Sequence, residues 1–498
     1  MKSWTWKIFL AVVLLGLTAS GATVNWTNTA GLNVSPYGPG DIVNLWGTFT
    51  NSLSITNGGT AGNPITFFFQ PGANFTAPAW SSYPGAIYCG KNYVTIDGGQ
   101  NGLIQNTANG TGLAHSVDSV GVYGDGASDF TVKNLTVANL YVRTGTTDEA
   151  SFGSWAIVDR GTAVNMENFV VTNCTIHDAV TGIVGEYDAG CSNFVFSGNT
   201  IFSVNHGIDV PDRNSTSTLT LVTISGNHIY GFTNWTDTAG NQYHHNAVYC
   251  WSVQGGTSQI GTVNANGNTF GPGLGGAYQT AELFIQGAIT NVLAYNNAFS
   301  ASSGEYASEG LLSLSSSKNA VFNVFNNTFV AGDLGAAIQW NGTAATAQTI
   351  SITNNLGSGG GAGTYIAFYD VGTGAQTFGI DNNLCYNFDG STPFIYSTTG
   401  SYVGKSFAQW QGLGFDVHGL TANPLLNGNG TPQALSPAIA AGANLSAYFA
   451  TDYAGNARPS TGPWTIGAYE YGAMPPPNPS TNTTLIQFGN MSGGGIHL

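Results

Sequence analysis

The sequence predicts an all-β chain wound as a right-handed parallel β-helix, with three strands per coil, about a dozen coils, an asparagine ladder and capped ends. Asparagines recur at near-fixed spacing, each closes a short stretch of alternating apolar residues, and the corners between strands are rich in Gly, Asn and Ser. The recurring segments are Ser197-Gly198-Asn199, Ser225-Gly226-Asn227, Asn266-Gly267-Asn268, Tyr295-Asn296-Asn297, Phe325-Asn326-Asn327, Thr353-Asn354-Asn355 and Asp381-Asn382-Asn383. The last asparagine returns every 28 to 30 residues, except for a gap of 41 between Asn227 and Asn268. Self-similarity at such a period marks a solenoid.

Coils of parallel strands stack about 4.8 Å apart. An asparagine at one tight turn then overlies the asparagine of the neighbouring coil, and its amide both donates and accepts. Each rung contributes about 1 kcal/mol net, whereas a buried unpaired amide costs about 1–3 kcal/mol, so the column holds the winding in register. Towards the N-terminus the slot is filled by Cys174, Leu135 and Gly99, so the ladder begins at Asn199.

One coil can be read from Asn199 to Asn227. Thr200-Ile201-Phe202 is a short strand, Ser203-Val204-Asn205 a turn, His206 to Val210 a second strand, Pro211 to Ser217 a loop and Leu219 to Ile224 a third strand. Period-two alternation with β-branched residues supports each strand. In the second strand Ile208 and Val210 point inward and Asp209 outward. The coil before it aligns without a gap, Gly182-Ile183-Val184 matching Gly207-Ile208-Asp209. Two coils carry insertions, around Tyr141 to Gly153 and Gly231 to His244, at the same corner. Long loops sharing one side of a rigid rod wall a groove.

At the N-terminus, Lys2 and Lys7, the apolar run Ile8 to Leu17 and the small residues Ser20-Gly21-Ala22 read as a secretory signal over 1–22. The run is too short for a stable membrane span, and no second one follows. Residues 23–64 are expected to form an N-terminal cap and first coil, 65–400 the β-helix, 401–471 a C-terminal cap segment, and 472–498, opening with Met474-Pro475-Pro476-Pro477, a stiff linker and flexible tail. The expectation is a secreted or cell-surface monomer. Only 7% of residues are charged, and loss of Lys2 and Lys7 takes the formal charge from −15 to −17. Nucleic acid is excluded as a partner, because phosphate neutralisation needs clustered Lys and Arg. The five cysteines show no metal spacing and read as buried small hydrophobes, with Cys174 and Cys191 the one pair to check for a bridge.

The C-terminal part carries further signatures: Ser406-Phe407-Ala408-Gln409-Trp410, Asp416-Val417-His418, Asn423-Pro424-Leu425, Ser436-Pro437-Ala438-Ile439, the run Asp452 to Pro459, and Ile466-Gly467-Ala468-Tyr469-Glu470-Tyr471. With the asparagine ladder, these resemble exported bacterial right-handed parallel β-helix repeat proteins of the pectin-lyase-like superfamily, over residues 65–471. The resemblance implies the architecture and the cap. It does not fix an activity, since that group contains lyases, hydrolases, epimerases and adhesins. Asp416, His418, Asp452 and Arg458 read as cap residues.

Ionisable residues gather at one place. Asp209 and Glu186 face outward on adjacent coils with Cα atoms roughly 8 Å apart, and carboxylates about 6.5–9.5 Å apart suit an inverting glycosidase. Two mechanisms stay open. In a lyase, Arg213 neutralises a uronate or takes its α-proton, with Asp209, Asp212 and Asp188 holding a calcium ion. In a hydrolase, Asp209 and Glu186 divide the acid and base roles. His206 and His245 align at the start of the same strand, inward or at a corner, with His206 a further acid–base candidate. Trp235, Asp237 and Trp251, with His245, are candidate sugar contacts. Solvated turn residues are the plain alternative for the whole group. Paired-aspartate motifs like those of the polygalacturonase group, and an Asp-Pro-His-Asp stretch like that of the alginate epimerases, are missing. The sequence therefore points to a polysaccharide-binding and polysaccharide-degrading protein with its groove beside Asp209. The rival is a non-enzymatic adhesive rod.

Overall fold

The computed structural model describes residues 21–27, 36–143, 153–162, 164–214, 216–232, 245–252, 257–273, 279–302, 309–330, 335–342, 346–372, 376–398 and 402–472. The strands stack into three long sheets, one per side of a parallel β-helix. The first runs from Thr23–Thr27 through Ile42–Trp46 to Gln376–Asp381, and the second from Thr48–Phe49 to Leu384–Tyr386. The third, here the site sheet, runs from Leu53–Ile55 to Phe394–Tyr396, where the short antiparallel strand Gly404–Lys405 covers its edge. The coil read from sequence is present as Thr200–Phe202, His206–Pro211 and Thr218–Ser225. Among the described residues, no helix is long and apolar enough to cross a membrane.

Inward residues fill the bore in columns. Ile183, Ile208, Val248 and Leu283 are register partners on successive coils and are fully buried. Each such side chain contributes about 1.5–3 kcal/mol. All five cysteines are buried and unbridged, and Cys174 Sγ lies 3.8 Å from the Val132 carbonyl instead of on Cys191.

The ladder runs unbroken. The Nδ2 of Asn199 donates to Asn227 Oδ1 at 3.0 Å, and the same bond links Asn227 to Asn268 (2.9 Å), Asn297, Asn327, Asn355 and Asn383. Each Nδ2 also donates to a backbone carbonyl of the preceding coil, as Asn268 does to Ile224 at 2.9 Å, and each Oδ1 accepts a second bond from a backbone N–H. Cys174 N–H donates into the first rung, and Asp416 Oδ1 accepts the last, from Asn383 Nδ2 at 2.8 Å. A carboxylate suits that end because it only accepts. Its other oxygen takes the Trp410 indole N–H at 3.0 Å. Trp410 comes from the short helix Phe407–Gln411, capped by Ser406 and Gln409, and stacks on Phe394 at the end of the bore.

The residue before each rung has positive φ: 64°, 63° and 62° at Gly198, Gly226 and Gly267, then 53°, 49°, 59° and 57° at Asn296, Asn326, Asn354 and Asn382. Gly and Asn tolerate this left-handed turn, which accounts for the Gly-Asn and Asn-Asn pairs of the repeat. The change from Gly to Asn has a second cause. The four asparagines donate their amides to carbonyls of the C-terminal segment, at Thr451 (2.7 Å), Thr465 and Gly467, Ala443, and Ala441. That segment is therefore a strap running back along the coils as well as an end cap. Buried Arg458 pins it, reaching Glu470 (2.9 Å), Asn296 Oδ1 (2.9 Å) and the Gly467 and Ala468 carbonyls.

Among the buried carboxylates, Asp159 faces the bore from the site sheet. Asp159 is fully buried, and its Oδ1 accepts the N–H groups of Gly126 and Ala127 at 3.0 and 3.3 Å. Its Oδ2 has no partner among the described residues. Desolvation pushes this group up to about 7, against the two backbone hydrogen bonds that favour its charge.

Two outcomes are expected. Asn268→Ala leaves the Asn227 N–H and Nδ2 donors facing an apolar bore, and urea unfolding should show a loss of about 2–5 kcal/mol. Asp159 has a folded pKa above its unfolded value near 3.9, so its contribution is full at acid pH and is lost as pH rises through about 7. The melting temperature should fall across that window. Asp159→Asn should flatten part of the fall, and an unchanged slope would mean the group does not titrate there.

Candidate functional site

The site forms on the outer face of the site sheet because successive strands place outward residues in line. Val184, Asp209, Tyr249 and Phe284 are register partners, and two residues further along Arg160 pairs with Glu186, and Trp251 with Gln286. Asp209 therefore lies one coil and two residues from Glu186, as the sequence alignment implies.

Asp209 Oδ1 accepts the Trp251 indole N–H at 3.2 Å. The Tyr187 hydroxyl donates to the Trp251 carbonyl at 3.2 Å and buttresses that strand from the buried side. Tyr249 stacks on Phe284 at 4.9 Å and 8°, lies 5.9 Å from the Trp251 ring, and donates its hydroxyl to Gln286 Oε1 at 3.0 Å. Asp209 keeps a partly exposed surface, yet these neighbours hold most water away from the carboxyl. That desolvation, reinforced by the charge of Glu186 and opposed by the Trp251 hydrogen bond, pushes its pKa up to about 7.

Glu186 sits in a different environment. Its Oε1 meets Arg160 Nη2 at 3.3 Å and also Arg213 Nη1. Arg213 reaches Asp188 through Nε at 3.7 Å, and Asn214 donates to the other oxygen of Asp188. Arg160 also lies over the Trp155 ring at 5.1 Å. With the Glu186 and Asp188 side chains only 13% and 5% exposed, this network is partly desolvated and less screened than surface pairs.

The structure thus brings together Asp209, Glu186, Arg213 and Trp251. His206 joins them at the edge, half-buried with its ring 6.3 Å from that of Tyr249. The expected alignment of His206 with His245 is corrected: His206 pairs with Asn246, one residue further on, and His245 lies in the buried corner beside Phe232. Trp235 and Asp237 lie outside the described residues.

The calcium set Asp209, Asp212 and Asp188 does not fit a metal. Among the described residues no three acidic, His or Cys side chains are grouped to hold an ion. Asp209 is bonded to Trp251, Asp188 has the Arg213 guanidinium and the Asn214 amide against it, and Asp212 lies buried past the strand end, paired with Tyr187. A guanidinium stands where a cation would have to act.

Arg160 and Tyr249 were missed in the sequence. Arg160 could have been found by sliding Val158-Asp159-Arg160 onto Val184-Gly185-Glu186 across the first insertion. Hollows of about 310, 320 and 510 Å³ lie elsewhere, two under the C-terminal strap and one on the first sheet, and Asp209 lines none of them.

No family model and no curated protein matches the sequence. Solved structures similar to the chain include the pectate lyase Pel9A, at 13% identity and a TM-score of 0.40, covering 91% of this chain and 97% of that one. Another is the PL6 family alginate lyase AlyGC, at 10% identity and a TM-score of 0.19, covering 76% and 78%. At these values the likeness has no bearing on chemistry, and the parallel β-helix rests on its own strand pairings.

Proposed function

We propose that this chain is an exported protein that binds a polysaccharide along the outer face of the site sheet and hydrolyses it beside Asp209. The observation that carries the reading is the meeting, on adjacent coils, of a carboxyl that holds its proton near neutrality and a carboxylate clamped by two guanidiniums. Two acids in unlike surroundings are what glycosidic cleavage needs. Asp209 gives its proton to the leaving oxygen. Both arginines meet Oε1 of Glu186, which leaves Oε2 to take a proton from the attacking water. Trp251 and Tyr249 offer flat rings to sugar faces. Export is supported by the N-terminal sequence pattern alone.

The lyase reading is weaker. As a base, Arg213 would have to give up a guanidinium proton, which it does not do in a protein; as the partner of a uronate, it is already engaged by Glu186 and Asp188. The adhesive rod is the reading that remains if no bond is cut.

Release of reducing ends and of unsaturated ends over a glycan panel tests the three together. Wild type should release reducing ends without unsaturation, and Asp209→Asn should lower the rate about 10²–10⁴-fold, the worth of one general acid. The acid works only when protonated, so activity should fall as pH rises through about 7. Unsaturated products would move the assignment to a lyase, and a wild type inactive on every glycan would leave the rod.

A further inference from the structure

The site sheet carries a second cluster that the proposed chemistry does not use. Tyr88 and Tyr123 are outward register partners on adjacent coils, N-terminal to the strand of Arg160. Their rings lie 6.1 Å apart at 27°, forming a floor. Tyr83, 58% exposed, stands upright against both, at 5.4 Å and 76° to Tyr88 and at 5.2 Å and 89° to Tyr123. The Tyr88 hydroxyl donates to Asp125 Oδ2 at 2.6 Å and fixes a carboxylate beside the floor.

We infer that Tyr83, Tyr88 and Tyr123 form a remote sugar-binding corner that selects neutral glycans. This rests on the reading of the same face as a polysaccharide groove. An exposed ring standing at right angles to two half-buried ones gives an apolar wall and floor, the shape that takes the edge and face of a pyranose. The fixed Asp125 carboxylate accepts hydrogen bonds from sugar hydroxyls and repels a uronate carboxylate. The corner shares an outward column with the site: Tyr123 pairs with Val158, Val158 with Val184, and Val184 with Asp209. Three coil steps make about 14 Å, the reach of a few sugar units. Tyr123 lies between Tyr88 and Val158 in that column, so the corner and the proposed groove are parts of one continuous outer face.

The test is titration calorimetry of the full chain with soluble xyloglucan and glucomannan against polygalacturonate and alginate. Wild type should bind the neutral polymers more tightly. Tyr83→Ala should weaken them about five- to tenfold, while Tyr83→Trp, with a larger ring, should bind at least as well. Removing the exposed Tyr83 ring should leave the melting temperature in place, and Tyr83→Trp keeps the idea testable if it does not. Unchanged neutral-glycan affinity in Tyr83→Ala, or tighter binding of the polyuronates by wild type, would overturn the corner. Neither result touches the Asp209 assignment, which is scored by product release at saturating glycan. A wild type that binds none of the four polymers would overturn the corner, and the Asp209 assignment would still be decided by product release over the glycan panel.

Discussion

A column of amides inside an apolar bore is the constraint on which the rest of this structure depends. A buried amide is tolerable there only if its partners lie directly above and below, and they do, at 2.9–3.1 Å from Asn199 to Asn383. Every coil must therefore turn at the same angular position. Once the turn is fixed, the strands that leave it are in register, and outward residues of successive coils fall into line. Asp209 sits beside Val184 and Tyr249, and Glu186 beside Arg160, because the rungs two corners away leave no freedom to slip by one residue.

The column also explains how the ends are finished. A ladder whose members donate in one direction needs a donor at one end and an acceptor at the other. Cys174 supplies a backbone N–H, and Asp416 supplies a carboxylate oxygen. Burial raises the pKa of Asp416, while its bonds to Trp410 and Asn383 act against that rise, so the terminator is itself held by what it terminates. The left-handed turn before each rung does a second task. At Gly226 and Gly267 the strap stands off across a hollow and Gly suffices; from Asn296 to Asn382 Asn keeps the same backbone and adds a donor for the strap.

The sequence discloses what is periodic and conceals what departs from the period. The rungs, the three strands of the coil at Asn199, the inward Ile208 and Val210 and the outward Asp209 all follow from spacing and parity. The pairing of Glu186 with Arg213 and the contact of Trp251 with Asp209 lay within reach of the same reasoning. Arg160 lay one step further off, because the insertion before its strand must be bridged before the alignment sets it against Glu186. His245 was misplaced by one residue because the insertion before its strand, Gly231 to His244, hides where the pairing with His206 begins. The calcium set failed on parity: Asp212 lies three residues beyond the outward Asp209, on the buried side past the strand end. The strap was legible as a cap, but its course along the coils was not, since the Asn-for-Gly exchange that marks it also satisfies the turn.

Two aspartates with similarly raised pKa values show why position decides what such a group can do. Asp159 points into the bore, closed off from solvent, and its proton can only trade charge against stability. Asp209 is two coils away on the opposite face of the same sheet, partly open to water, bonded to an indole and next to a second carboxylate. Parity along the strand separates them. The surroundings of Glu186 point the same way: the sequence holds only four arginines, and two of them meet one oxygen of this residue. In a chain with 7% charged residues, a surface that needed only to stay dissolved would gain little from gathering them there. That concentration, set on the face where Tyr249 and Trp251 also stand, is the feature on which the proposed site rests.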